Sequence, residues 1–152
     1  MTAREIVLEA MRNLGRGDAL SLRGRAADMD GTAIIAEEFK APPFDPGKDY
    51  TAWPRGAPVT DEGQVWTLLQ PHNAAHYEGR PSGLRALWGL CHTTDPARAK
   101  PFVAPHGTSG IYKRGECVRE ENGVVYRLTA EETDHRPADY PQGWEIVSES
   151  DT

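Results

Sequence analysis

Long hydrophobic runs are missing from this chain. No stretch approaches the roughly 20 apolar residues that a membrane-spanning helix requires. Arg4 and Glu5 precede only a short apolar stretch, so the N-terminus does not read as a secretory signal, and the chain is expected to be made in the cytoplasm. Positive charge is also scarce: 17 Lys and Arg against 23 Asp and Glu leave a formal net charge of −6. No basic cluster stands out, which argues against an unspecific electrostatic grip on nucleic acid or on an anionic membrane. Cysteine occurs twice, as Cys91 and Cys117, outside any Cys-x-x-Cys spacing. Both are expected to be small buried apolar groups. With 38% hydrophobic residues among 152, the chain supports small compact cores rather than one large one.

What is present is a duplication. Trp53-Pro-Arg-Gly56-Ala-Pro-Val59, Gly63-Gln-Val65-Trp66-Thr-Leu68, Pro81 and Trp88 return in the same order as Tyr112-Lys-Arg-Gly115-Glu-Cys-Val118, Gly123-Val-Val125-Tyr126-Arg-Leu128, Pro137 and Trp144. The interval from Pro to Trp is seven residues in both copies. Such a repeat implies two supersecondary units, each with its own small core. Residues 57–60 and 64–69 read as short strands around Asp61-Glu62-Gly63, and Glu120-Glu121-Asn122-Gly123 occupies the same place in the second copy. Asn-Gly supplies the positive φ angles of a tight hairpin and is the stronger turn signal of the two. Hairpins this short need large side chains to close them, and Trp66, Trp88, Tyr126 and Trp144 are placed to do so.

The N-terminal portion differs in character. Val7, Ala10, Met11 and Leu14 fall at helical spacing within residues 3–14, with Thr2 as N-cap and Gly15 and Gly17 as stop. So short a helix is marginal alone, and its apolar stripe points to assembly with a partner chain. Asp18 is placed to cap a further helical turn through Leu20 and Leu22, and Asp30-Gly31 reads as a turn ahead of a strand over residues 32–36. Three prolines and a glycine make residues 41–49 a linker. The expected fold is therefore mainly β: two small antiparallel β modules, residues 50–106 and 107–152, behind a helical segment of residues 1–40.

The order aromatic, Gly, Val, hairpin turn, Val-aromatic, distal Pro and Trp resembles the chitin- and cellulose-binding modules of carbohydrate-binding families 5 and 12. Two such units behind a short helix look like phage and prophage tail-associated proteins, through Trp53, Gly56, Val59, Val65-Trp66, Leu69-Gln70-Pro71-His72, Pro81 and Leu87-Trp88 in the first copy. Tyr112, Gly115, Asn122-Gly123, Val125-Tyr126, Pro137 and Tyr140-Pro-Gln-Gly-Trp144 carry it in the second. In the chitin-binding members a pair of adjacent aromatics follows the Val-aromatic strand and stacks on sugar rings. Here the corresponding stretches are Leu68-Leu69-Gln70-Pro71 and Leu128-Thr129-Ala130-Glu131, and neither offers an aromatic face. The resemblance thus implies the scaffold more firmly than the ligand.

Candidate glycan contacts lie mainly in the unshared stretch of the first copy: His72, Asn73, His76 and Tyr77, with Trp66 added in case its ring reaches the surface. His72-x-x-x-His76 has the spacing of two ligands on one helical face, but the Pro- and Gly-bounded segment does not read as a helix and no third ligand recurs nearby, so no metal and no other cofactor is expected. Adjacent carboxylates such as Glu120-Glu121 and Glu131-Glu132 are not the facing pair that a glycosidase needs. Ser82 and Ser109 lie in no nucleophile elbow, and no catalytic residue is assigned. The expected function is a non-enzymatic component of a phage or prophage virion, joined to other particle proteins through its N-terminal segment. A homotrimer is the favoured closed assembly, and the β modules would be presented to a bacterial surface polysaccharide. A free-standing glycan-binding module is the alternative, and an accessory of a polysaccharide-degrading enzyme a weaker one.

Overall fold

A computed structural model describes Ala3 and residues 20–148. Apart from Ala3, the helix expected over residues 3–14 and its caps lie outside the described residues, as does Asp18. Residues 20–25 are helical (α1) and tighten into a 3-10 turn at Ala26–Asp28. The strand expected over 32–36 is instead a helix, α2, Gly31–Ala36. The Asp30 carboxylate accepts a hydrogen bond from the Ala33 N–H at 2.8 Å, so Asp30-Gly31 opens a helix rather than turning into a strand. Ile34 and Ile35 are then buried beside Ala26, Val65 and Cys91. The β-branched pair that resembled strand sequence is a helical contact onto the back of the first sheet.

The rest of the chain is mainly β. β1 (Pro58–Asp61), β2 (Gln64–Leu68) and β3 (Trp88–Leu90) form an antiparallel meander, with Val59 opposite Trp66 and Trp66 opposite Leu90. β4 (Tyr112–Lys113) pairs with β7 (Glu132–Thr133), and β5 (Cys117–Arg119), β6 (Val125–Leu128) and β8 (Trp144–Ser148) form a second meander. There Val118 faces Tyr126, Tyr126 faces Ile146 and Leu128 faces Trp144. The same row therefore crosses both sheets: Val59–Trp66–Leu90 and Val118–Tyr126–Ile146.

The two hairpins turn differently. Glu62 and Gly63 both take positive φ, 52° and 76°, as a two-residue loop closing Asp61 onto Gln64 requires. In the second copy Gly123 has positive φ, at 84°, while Asn122 uses its side-chain oxygen to accept the Val124 N–H at 2.9 Å. Glu120 bonds across to Val124, leaving a three-residue loop whose glycine supplies the bulge. Asn-Gly is thus the looser turn of the two.

The repeat begins earlier than the sequence pattern showed. Residues 41–49 are irregular but not free. Pro43 bridges Thr60 in the parallel sense, the Phe44 N–H donates to the Thr60 carbonyl at 2.8 Å, and Phe44 enters the first core. Ala99-Lys100-Pro101-Phe102 repeats Ala41-Pro42-Pro43-Phe44, with Lys100 bridging Val118 and Phe102 packed on the second core. Each strap follows a 3-10 turn, Glu38–Lys40 or Pro96–Arg98. The structural units therefore start near residues 38 and 96, ahead of the expected starts at 50 and 107.

Each phenylalanine stacks on a tyrosine, Phe44 on Tyr50 at 6.2 Å between centroids and Phe102 on Tyr112 at 4.9 Å. Each tyrosine meets its tryptophan at a steep angle, Tyr50 against Trp88 and Tyr112 against Trp144. Each buried hydroxyl accepts the backbone N–H that follows the phenylalanine, from Asp45 or from Val103. The spatial counterpart of Tyr112 is therefore Tyr50. Trp53, which the sequence alignment had placed there, lies partly buried beside the core.

What covers the sheets is not repeated. The connection between the modules crosses the first sheet: Gln64 Nε2 donates to the Pro101 carbonyl, Val103 packs on the first core, and Arg85 lies over the Trp66 ring while its guanidinium donates to the carbonyls of Ala104 and Ser109. Pro141 stands where Arg85 does, three residues before the tryptophan. Trp66 is 1% exposed, whereas Tyr126 is half-buried and Ile146 is 55% exposed.

Candidate functional site

The unshared stretch after β2 is shaped by local backbone chemistry. Asn73 accepts the Ala75 N–H at 3.0 Å and caps a single 3-10 turn, Ala74–His76, while its backbone bridges Asp49. Asn73 is thereby committed to holding the loop. His72 is 6% exposed: its Nδ1 lies 2.7 Å from the Gln70 carbonyl and its ring meets Trp88 edge-on at 5.5 Å. Trp66 is equally internal, with its indole nitrogen 3.4 Å from the Asp61 carbonyl. Two of the expected glycan contacts, His72 and Trp66, are therefore corrected to core residues. The His72 ring is held on one side by the Gln70 carbonyl, while its Nε2 is buried without a partner.

His76 and Tyr77 do reach the surface. Tyr77 is 45% exposed and stands edge-on against His72, with centroids 5.3 Å apart, so the buried imidazole sets the angle of the exposed phenol. Trp53 lies on the same module against Tyr50, but the Arg23 guanidinium sits over its ring at 3.6 Å and the Lys48 ammonium at 5.5 Å. Cations cover that indole, whereas the Tyr77 and His76 rings of the loop face solvent.

An arginine preceding each repeat proline was missed. Arg80 holds Asp61 in a bidentate pair, Nη2 to Oδ1 at 2.6 Å and Nε to Oδ2 at 2.9 Å. Arg136 and Glu120 occupy the same positions in the second copy, but the contact is a single Nη2 to Oε2 approach of 3.5 Å. Arg136 Nε and Glu120 Oε1 are buried without a partner. The recurrence of Arg-Pro seven residues ahead of each tryptophan was the available signal.

No protein-family model matches this chain, and no curated protein is significantly similar to it. What the molecule does is read from its own geometry.

Burial favours the neutral form of the two thiols and of the Tyr112 phenol. Cys91 and Cys117 are free buried thiols, and burial pushes Cys91 up to about 12. A thiol so placed stays protonated near neutral pH and is no nucleophile. Burial likewise raises Tyr112 well above the ordinary phenol range, and its hydroxyl serves as an acceptor for the backbone. Among the described residues no group of three or more His, Cys, Asp or Glu side chains is placed to hold a metal, and no helix is long and apolar enough to cross a membrane. The geometry offers exposed rings and ion pairs on β scaffolds.

Proposed function

We propose that this protein is a non-enzymatic structural component of a phage or prophage particle, presenting two carbohydrate-binding-module-like β modules to a host-surface glycan. The observation that carries this reading is the duplicated Phe–Tyr–Trp cluster with its tyrosine hydroxyl tied to the strap, which builds two copies of one scaffold. Tyr77, oriented by His72, is the glycan contact on the first module, with His76 beside it. A flat, partly exposed ring loses little conformational freedom on meeting the apolar face of a pyranose.

Assembly on the particle is assigned to the N-terminal segment through the helical apolar stripe of its sequence, with a closed homo-oligomer, a trimer first, as the product. Light scattering of the full chain at high concentration tests this directly: a trimer or another closed oligomer is expected, and a monomer overturns it. Glycan-array binding that weakens in Tyr77→Ala, at an unchanged melting temperature, is expected from the loop contact. Indifference to that substitution removes Tyr77 from the surface. A monomer that still binds glycan would favour the second reading, a free-standing binding module, for which the exposure of Tyr77 is the specific support.

A further inference from the structure

We propose that the end of the first module that displays Tyr77 selects a glycan bearing an oxyanion, a carboxylate or a phosphate, through Arg23 and Lys48, two cations that converge on the Trp53 ring. This rests on the glycan-presenting reading above and names the ligand class for that surface. The Arg23 guanidinium lies 3.6 Å from the centre of the Trp53 ring and the Lys48 ammonium 5.5 Å from it, with Lys48 also 6.0 Å from the Tyr50 ring. An indole attracts a nearby cation through its ring quadrupole. Two cations at the same ring still repel each other, and the ring carries no net charge to neutralise them.

Other cations of this acidic chain meet a carboxylate at close range. Arg25 and Lys40 share Glu37, Arg80 holds Asp61, and Lys100 meets Glu38. Among the described residues neither Arg23 nor Lys48 has a carboxylate within ion-pair distance. Burial lowers Arg23 from its ordinary value, and no carboxylate raises it again. The acids beside Lys48 in the chain are turned into their own loops: Asp45 Oδ1 accepts the Gly47 N–H at 2.8 Å, and Asp49 Oδ1 accepts the Thr51 N–H and hydroxyl at 2.9 and 2.6 Å. What the pair lacks is a contacting oxyanion.

The same end of the module carries the exposed phenol. The Lys48 carbonyl accepts the Ala74 N–H at 2.9 Å, Asp49 bridges Asn73, and the Tyr50 N–H donates to the His72 carbonyl at 2.8 Å. The loop of His76 and Tyr77 is thereby laid along the segment that carries Lys48. Trp53 meets Tyr50, Tyr50 meets His72 and His72 meets Tyr77 in one run of rings, so a saccharide packed on Tyr77 has Lys48 and Arg23 along its path. A guanidinium stacked on an aromatic face keeps the N–H groups of its edge for an oxyanion, and the ammonium adds further donors. A neutral sugar makes ordinary hydrogen bonds there, whereas an acidic one makes charge-assisted bonds, which are roughly twice as strong.

Calorimetric titration of the full chain at low salt with two pairs of probes, hexagalacturonic acid against cellohexaose and glucose 6-phosphate against glucose, tests the assignment. In at least one pair the anionic member is expected to bind about tenfold more tightly, the gain from one charged hydrogen bond, and the pair with the larger gain identifies the anion. Lys48→Gln and Arg23→Gln are each expected to remove that preference. Lys48 is partly exposed, so its substitution is expected to leave the melting curve unchanged, and it decides the test if Arg23→Gln fails to fold. Equal affinity within both pairs overturns the oxyanion assignment and leaves Tyr77 as the contact for a neutral glycan. A preference that survives in both variants places the anion elsewhere and overturns this site. Absence of binding to every probe at millimolar concentration overturns the site together with the glycan contact at Tyr77, while the particle-component reading is still decided by the oligomeric state.

Discussion

Glu62 is the one described non-glycine residue with a left-handed backbone, at φ 52°, because the two-residue turn of the first hairpin demands it. Asn tolerates that conformation better than a side chain with a longer stem. Glu62→Asn is expected to stabilise the fold by about 0.5–1 kcal/mol in chemical denaturation, a gain limited by loss of the exposed contact to Arg80. No gain, or a loss, would mean that the turn is not of this type. Cys91 makes a second sharp case. Its buried thiol, pushed up to about 12, is expected to resist a thiol-reactive dye in the native chain and to react on unfolding. Rapid native labelling would contradict the burial. Trp88 and Trp144 were legible as core from the repeat alone, since large rings in so small a β unit have nowhere else to go. His72 was not, because a sequence does not show that a polar ring will find its hydrogen bond two residues away and pack among aromatics.

The hairpins were readable because alternation and a glycine turn act over few residues, and the strands of the first fall within a residue of expectation. α2 was not. Asp-Gly before a β-branched run suits a hairpin and a capped helix equally, and the choice was made by a tertiary contact, the fit of Ile34 and Ile35 against Val65 and Cys91. The proline straps were hidden for a related reason: prolines cannot extend a sheet interior, yet they serve well along its edge, where Pro43 and Lys100 bridge. Glu37, following α2, ties three elements together by bonding Arg25 from α1 and Lys40 from the next turn. Arg25, followed by Lys40, holds its carboxyl well below the ordinary 4.5, at about 2. Because the folded value is the depressed one, this stabilisation is fully present above 4.5 and is lost as pH falls through about 2. Melting temperatures of the parent chain and of Glu37→Gln are expected to converge across that window. A gap that stays constant with pH would show that the ion pairs do not hold the helices.

Taken whole, the chain is one scaffold used twice and covered differently. The first copy has helices on one face and the inter-module strap on the other. The second shares that connection, since Phe102 packs on its core while Val103, the next residue, packs on the first. Phe102→Ala is expected to cost about 2–3 kcal/mol, below the range for a fully buried aromatic because the ring is partly exposed, and to lower the cooperativity of unfolding by loosening the second module first. A loss below about 1 kcal/mol would mean that the second unit does not depend on its strap. The duplication was visible in the sequence, but its asymmetry was not, because covering depends on long-range contacts such as Arg85 with Ala104 and Ser109. The proposed glycan contact, Tyr77, lies in the stretch that the second copy does not share. Amide chemical shifts of the full chain titrated with cellohexaose give the most direct test of it. Shifts clustered around His76 and Tyr77, with Trp66 and Leu90 unmoved, are the predicted result. A spectrum that does not change, or changes centred on Trp66 and the strap, would contradict the account.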